Sequence, residues 1–230
     1  MTYRVSVKDK YIIDYFINWA KDLLKDDDVV IQKEPYGDEC VVYKLSTKKE
    51  NYFLKIKIDS TSLREFERLR WFQGKIPVPV IIGFTTKESS KALLTSALEG
   101  KNLALLSKEW PAEKVINKLV YALHQFHKID TQEWPFEKAE NGKTLIHGDA
   151  CLPNFIFNND SFSGFIDLGD SKIADPKIDL AAAVWSLQYN LGKGHGLKFL
   201  QKYGIKNATE ELVEKLRLEY EDAQKAWGLI

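Results

Sequence analysis

Cysteine is scarce in this chain. Its 230 residues include only Cys40 and Cys151, too few for a disulfide framework and without the paired spacing of a metal motif. A reduced, cytoplasmic setting is therefore expected. Long apolar runs are missing as well. Nothing approaches the ~20 residues of a membrane-spanning helix, and Met1-Thr2-Tyr3-Arg4-Val5 lacks the apolar stretch of a secretory signal. There is no excess of either charge: Lys+Arg and Asp+Glu number 33 each. A nucleic-acid binder would show a basic stripe, so neither nucleic acid nor membrane is expected as a partner. Glycine-rich phosphate loops are lacking as well: Pro35-Tyr36-Gly37-Asp38-Glu39-Cys40, between the first strands, could cover phosphates with backbone amides, but one glycine beside two acids is not by itself a phosphate cradle.

The first half of the chain reads as strands with one helix on either side of a hairpin. Tyr11, Ile12, Tyr15, Phe16, Trp19, Leu23 and Leu24 recur at helical spacing and predict a helix with that face in the core. Strands are expected at residues 29–31, 41–45 and 51–56, the last two joined by a polar turn. A charged helix over residues 62–73 stops at Gly74, and two more strands cover residues 80–84 and 92–97. After Gly100 the chain becomes mostly helical, with helices near 111–129, 177–191, 196–203 and 209–227. His124 and His127 sit three apart on the first of these. They have no third ligand in view, which favours a structural role over metal binding. The expected class is α+β, with an N-terminal nucleotide-binding lobe over residues 1–99 and a helical catalytic and acceptor-binding lobe over 100–230.

The chemistry is concentrated in His147-Gly148-Asp149-Ala150-Cys151-Leu152-Pro153-Asn154 and Gly164-Phe165-Ile166-Asp167-Leu168-Gly169. Phosphoryl transfer needs a carboxylate to orient the attacking hydroxyl and divalent metal to neutralise the triphosphate. Asp149 suits the first task. Asn154 follows at the interval of the kinase pattern, in which an Asp base precedes a metal-binding Asn. Asp167, after a hairpin and at the end of an apolar strand, suits a second metal ligand, because hard Mg²⁺ takes side-chain oxygens. Upstream, Lys55 is flanked by apolar residues on a strand. A lysine on a sheet edge is the plainer reading. The downstream motif favours the alternative, a lysine gripping phosphates and paired with Glu65 of the following helix. Cys151 has no motif partner that would make it a nucleophile.

With these blocks in place, the sequence resembles the aminoglycoside phosphotransferase family, most closely its 3'-phosphotransferase branch. The likeness is densest in Trp71-Phe72-Gln73-Gly74-Lys75-Ile76-Pro77-Val78-Pro79, in residues 147–154 and in residues 163–169. It implies a two-lobed protein-kinase-like fold with a small antiparallel sheet in the first lobe, and ATP and Mg²⁺ as cofactors. The acceptor it implies is a small-molecule hydroxyl, on an aminoglycoside antibiotic in the first instance, and the enzyme a monomer or homodimer. By residue-wise carry-over, Asp149 is the base, Asn154 and Asp167 hold metal, and Lys55 with Glu65 positions phosphate. Phe53 stacks on adenine, Ile156 and Ile166 line its pocket, and Ser96 and Leu98 offer backbone groups to its edge. Asp179 caps its helix and braces the catalytic loop.

Departures from the family fall on the acceptor side. The stretch of residues 131–146 is short where the family carries a longer helical insertion. The acids that the family places after Asp179 fall on Tyr189 and Asn190, and helix or loop arginines fall on Trp185 and Asp170. Glu219 is the nearest match to an acid of the final helix, whose next acid becomes Tyr220. Glu219 and Asp170 are therefore the acceptor-side candidates, and a choline, amino alcohol or sugar amine is the alternative acceptor. A protein kinase is disfavoured, because residues 168–178 leave little room for an activation segment. A non-catalytic nucleotide-binding module is disfavoured because no catalytic position is missing.

Overall fold

The computed structural model describes residues 7–26, 28–34, 40–60 and 64–226, with the side chains of Val7 and Lys8 excepted. The sequence candidate for a phosphate loop at residues 35–39 and the final Trp227-Gly228-Leu229-Ile230 lie outside them. The chain divides into two compact units, residues 1–73 with 79–97, and residues 74–78 with 98–230.

Among the described residues, the first unit is an antiparallel sheet with two helices. Its strands are β1 (Val30–Lys33), β2 (Val41–Ser46), β3 (Asn51–Lys57), β4 (Ile81–Lys87) and β5 (Ser90–Ser96), hydrogen-bonded in the order β1-β2-β3-β5-β4. Alternation along β3 buries Leu54 and Ile56 on one face and leaves Phe53 and Lys55 on the other, as a strand's two-residue period requires. Helix α1 (Val7–Leu24) packs Ile12, Ile13, Phe16 and Ala20 against Leu45, Leu54, Ile56, Ala92 and Leu94.

The buried face of α1 matches the expected one in part. Ile12 and Phe16 are buried, and Trp19 and Leu24 pack against the same core. Tyr11 and Tyr15 lie outward, the latter under Lys87 with Nζ 4.9 Å from its ring, and Ile13 and Ala20 are buried beside the expected residues. Helix and strand β4 approach closely: a Cβ on Gly83 would lie 2.6 Å from Leu23 and 2.9 Å from Trp19. Helix α2 (Arg64–Phe72) follows β3, burying Arg68, Leu69 and Phe72.

The second unit is mostly helical: α3 (Leu103–Leu106), α4 (Ala112–His127), α5 (Lys177–Leu191), α6 (Gly196–Tyr203) and α7 (Glu210–Ala226). Pro111 precedes α4, whose inner face carries Val115, Leu119, Leu123 and Phe126, as the heptad-like spacing predicts. Short strands β6 (Lys101–Asn102), β8 (Phe155–Asn158) and β9 (Ser161–Phe165) form one sheet, and β7 (Thr144–Ile146) pairs with β10 (Lys172–Ala174) in another. Residues 74–78 join this unit because Pro77 accepts the amide of Phe165 at 3.0 Å. Gly164, with φ +147°, leaves no room there, since a Cβ would meet the Pro77 oxygen at 2.5 Å. Among the described residues, no helix is long and apolar enough to cross a membrane.

Candidate active site

Strand β7 delivers His147-Gly148-Asp149 to the C-terminal end of its short sheet, and three buried interactions fix the backbone there. The Asp179 carboxylate, fully buried in the first turn of α5, accepts the amides of His147 at 2.8 Å and Gly148 at 2.9 Å. His127 donates Nε2–H to the same carboxylate at 2.8 Å, and its Nδ1 lies 2.8 Å from the Tyr203 hydroxyl. Ser171 donates its hydroxyl to the His147 carbonyl at 3.2 Å. The expected helix-capping role of Asp179 is corrected: Pro176 stands at the N-cap, with no side-chain cap bond. The three donors around the carboxylate are what make its burial tolerable. His124, bonded from Nε2 to the Tyr203 carbonyl at 3.0 Å, is structural like its neighbour.

His147 is itself fully buried and has its tautomer set by two partners. The Ile166 carbonyl can only accept, so Nε2 carries the proton and donates to it at 3.0 Å. Nδ1 is then the acceptor for the Asp149 amide at 3.4 Å. The ring thus ties the loop holding Asp149 to the strand end holding Asp167. Gly148 adopts φ +91°, and a Cβ there would sit 2.3 Å from the Asp170 oxygen, so only glycine fits.

Asp149 emerges half-buried with both carboxylate oxygens engaged. Asn154 donates Nδ2–H to its Oδ2 at 2.9 Å and to its backbone oxygen at 2.8 Å. Tyr220, on α7, donates its hydroxyl to Oδ1 at 3.1 Å. Asn154 lies in a single 3₁₀ turn over Leu152–Asn154, which Ser186 of α5 steadies by accepting the Leu152 amide at 2.9 Å. Its carbonyl oxygen accepts the Ile166 amide at 3.1 Å, which places Asp167 one residue beyond a direct backbone bond. Asp167 is exposed and left-handed, at φ 61° and ψ 54°. That conformation is uncommon outside glycine and is carried most readily by Asp and Asn.

Metal fit follows from which atoms are already used. Both Asn154 side-chain bonds spend its NH₂, leaving the amide oxygen as the kind of ligand Mg²⁺ takes. Among the described residues, no cluster of three or more His, Cys, Asp or Glu could hold a metal alone. Mg²⁺ commonly binds through one or two side chains plus substrate phosphates. Asn154 and Asp167 fit that description.

In the first unit, Lys55 lies on the central strand β3 rather than at an edge. Its Nζ donates to both Glu65 oxygens at 2.7 Å, from side chains only 22% and 15% exposed. Phe53 shares the Lys55 face, two residues along. Ser96 ends β5 and donates its amide to the Val80 carbonyl at 2.9 Å. In the second unit, Ile156 on β8 is buried, and Ile166 and Leu98 are half-buried.

The acceptor-side candidates are placed differently. Glu219 is exposed and faces Lys215 at 3.9 Å. Asp170 is exposed, with its backbone against Gly148. The residue that α7 brings to Asp149 is Tyr220, together with Trp185 of α5 at 5.3 Å between ring centroids. Neither was singled out as a contact from the sequence, because no periodicity or motif marks which residue of an exposed helix meets a loop distant in the chain. Ser186 and His127 escaped notice as partners for the same reason.

Cys151 is buried two residues from Asp149, with its sulfur 3.3 Å from the Tyr220 hydroxyl. Burial, and then the Asp149 charge, push its thiol well above the usual range. The thiolate is therefore scarce. Under native conditions at mildly alkaline pH, alkylation followed by peptide mass mapping should leave Cys151 unmodified, and denaturation should release it.

Similarity to known proteins agrees with this geometry. Residues 122–216 match the family described as "Phosphotransferase enzyme family". An aminoglycoside 3'-phosphotransferase of Niallia circulans is 26% identical, over 85% of this chain and 94% of the relative. This chain resembles the aminoglycoside phosphotransferases. The crystal structure of an aminoglycoside 3'-phosphotransferase of type VIII superposes with a TM-score of 0.71 at 21% identity, covering 89% of this chain and 97% of the other. An aminoglycoside phosphotransferase of Streptomyces rimosus, solved with ADP and streptomycin, gives 0.70 at 18% identity, over 91% and 97%. The fold is the kinase-like α+β fold of the aminoglycoside phosphotransferases.

Proposed function

We propose that this chain is an ATP-dependent phosphotransferase that phosphorylates a hydroxyl of a small molecule, with an aminoglycoside as the first acceptor to test. The observation that carries the reading is Asp149. Its carboxylate is held by Asn154 and presented by a loop whose amides are locked onto Asp179. In this reading Asp149 orients the acceptor hydroxyl and takes its proton as the oxygen attacks the γ-phosphorus. Asn154 and Asp167 would hold Mg²⁺, which neutralises charge on the phosphates. Lys55, fixed by Glu65, would bind the α- and β-phosphates, Phe53 would stack on adenine, and the Ser96 carbonyl, Leu98, Ile156 and Ile166 would serve the rest of the nucleotide. The relatives named as aminoglycoside 3'-phosphotransferases support the acceptor class. The reading places the enzyme in the cytoplasm, as a monomer or homodimer.

The test is ADP release with Mg-ATP across kanamycin, neomycin, choline and sugar amines, with Asp149→Ala as control. Turnover of an aminoglycoside supports the full reading. Turnover of choline alone would remove the antibiotic assignment, and no turnover despite nucleotide binding would remove the kinase. Lys55→Ala is expected to lower kcat/KM for ATP by about 10²-fold, the scale for deleting one preorganised charge contact. Steady-state kinetics in ATP would read this, and a loss below about three-fold would count against the phosphate role.

A further inference from the structure

We propose that Trp185, Tyr189 and Tyr220 form an aromatic acceptor subsite beside Asp149, which receives one ring of a cyclic polyol or amino sugar by its flat C–H face and draws little on the acceptor's positive charge. The inference rests on the reading of Asp149 as the base that meets the acceptor.

Trp185 and Tyr189 lie one turn apart on α5, so they share a face. Their rings stack with centroids 5.3 Å apart and planes 12° from parallel. Tyr220 reaches across from α7 to Trp185 at 5.3 Å, tilted by 44°. The three rings make one continuous wall, and the hydroxyl of Tyr220 ends it 3.1 Å from Asp149 Oδ1. An acceptor hydroxyl bound to the same carboxylate would bring its own ring within reach of that wall. Tyr189 is 77% exposed. One exposed tyrosine is ordinary, but this one continues a wall that touches the base.

The neighbouring charges point the same way. The acids of α7 near Tyr220 have basic partners on their own helix. Arg217 holds Glu214 and Glu221, Lys215 faces Glu219, and Lys225 lies 3.8 Å from Asp222. An acceptor held by its ammonium groups would need acids aimed at it; here the helix spends them internally. Ring faces instead exclude water from the C–H surface of a sugar and fix its tilt, and a flat aromatic surface loses little side-chain freedom in doing so.

The experiment is acceptor kinetics at saturating Mg-ATP, with glucosamine as a probe carrying one amine and kanamycin as a polycationic probe. Tyr189→Ala, which removes an exposed ring and leaves the core intact, should raise acceptor KM about ten-fold while KM for ATP changes less than about two-fold. Trp185→Phe, which keeps a ring, should stay within about three-fold of wild type. Acceptor KM for the wild type should vary less than about three-fold between low and roughly 0.5 M salt. An unchanged acceptor KM in Tyr189→Ala, or a salt-driven rise of ten-fold or more, would overturn the subsite while leaving the kinase standing. A wild-type protein that turns over neither probe would overturn the subsite, and the kinase with it only if choline is not turned over either.

Discussion

Asp149→Asn should lower kcat by about 10²–10⁴-fold, the range for losing a positioned general base. The change is nearly isosteric, but an amide cannot accept the proton of the attacking hydroxyl. Its oxygen can still accept from Asn154 Nδ2, which leaves the NH₂ toward the Tyr220 hydroxyl. The Tyr220 hydroxyl can reverse and accept from that NH₂, so the fold is kept while the proton acceptor is lost. Because the nucleotide-side residues Lys55 and Glu65 are untouched, KM for ATP should change by no more than about three-fold. Rapid-quench or coupled-assay kinetics would measure both constants. A variant retaining more than about a tenth of wild-type kcat would show that proton removal by Asp149 is not what limits the reaction.

Asp179→Ala should cost about 3–5 kcal/mol of folding stability, the range for removing one partner from a buried charged network. The fully buried carboxylate accepts from His147, Gly148 and His127. Its removal leaves two backbone amides and an imidazole without acceptors, each with a desolvation cost of its own. Urea denaturation should show a lower midpoint, and activity should fall with it because the amides that fix the Asp149 loop are released. Asp179→Asn should fall between wild type and alanine, since one oxygen can still accept. A loss below about 1 kcal/mol for the alanine variant would mean the loop is held by other means.

Much of the second unit was legible because its elements carry strong local signals. The spacing of Val115, Leu119, Leu123 and Phe126 after Pro111 predicts α4, and the structure begins it at Ala112. The bounds read for α5 and α6, residues 177–191 and 196–203, agree with the structure; Gly192 at positive φ ends the first, and left-handed Gly204 ends the second. Strands β6, β7 and β10, of two or three residues each, were not read, because such pieces are too short to show a period. On α1 the expected Ile12 and Phe16 are buried while Tyr11 and Tyr15 face outward, because periodicity groups residues by side but does not fix how far the buried arc extends. In the candidate site, Asp149, Asn154 and Asp167 stood out through their intervals, and backbone bonds tie those segments together. The contacts of Tyr220, Trp185 and Ser186 come from packing between helices distant in sequence, and intervals do not encode that.

The most direct measurement of the central claim is product analysis by phosphorus NMR and mass spectrometry after incubating the protein with Mg-ATP and kanamycin. Phosphoryl transfer predicts a new phosphomonoester resonance, an acceptor heavier by one phosphoryl group and an equal yield of ADP, all abolished in Asp149→Asn. Unmodified kanamycin beside intact ATP would contradict the aminoglycoside acceptor, and the same result with choline and the sugar amines, or ADP and free phosphate with no phosphorylated product, would contradict the kinase.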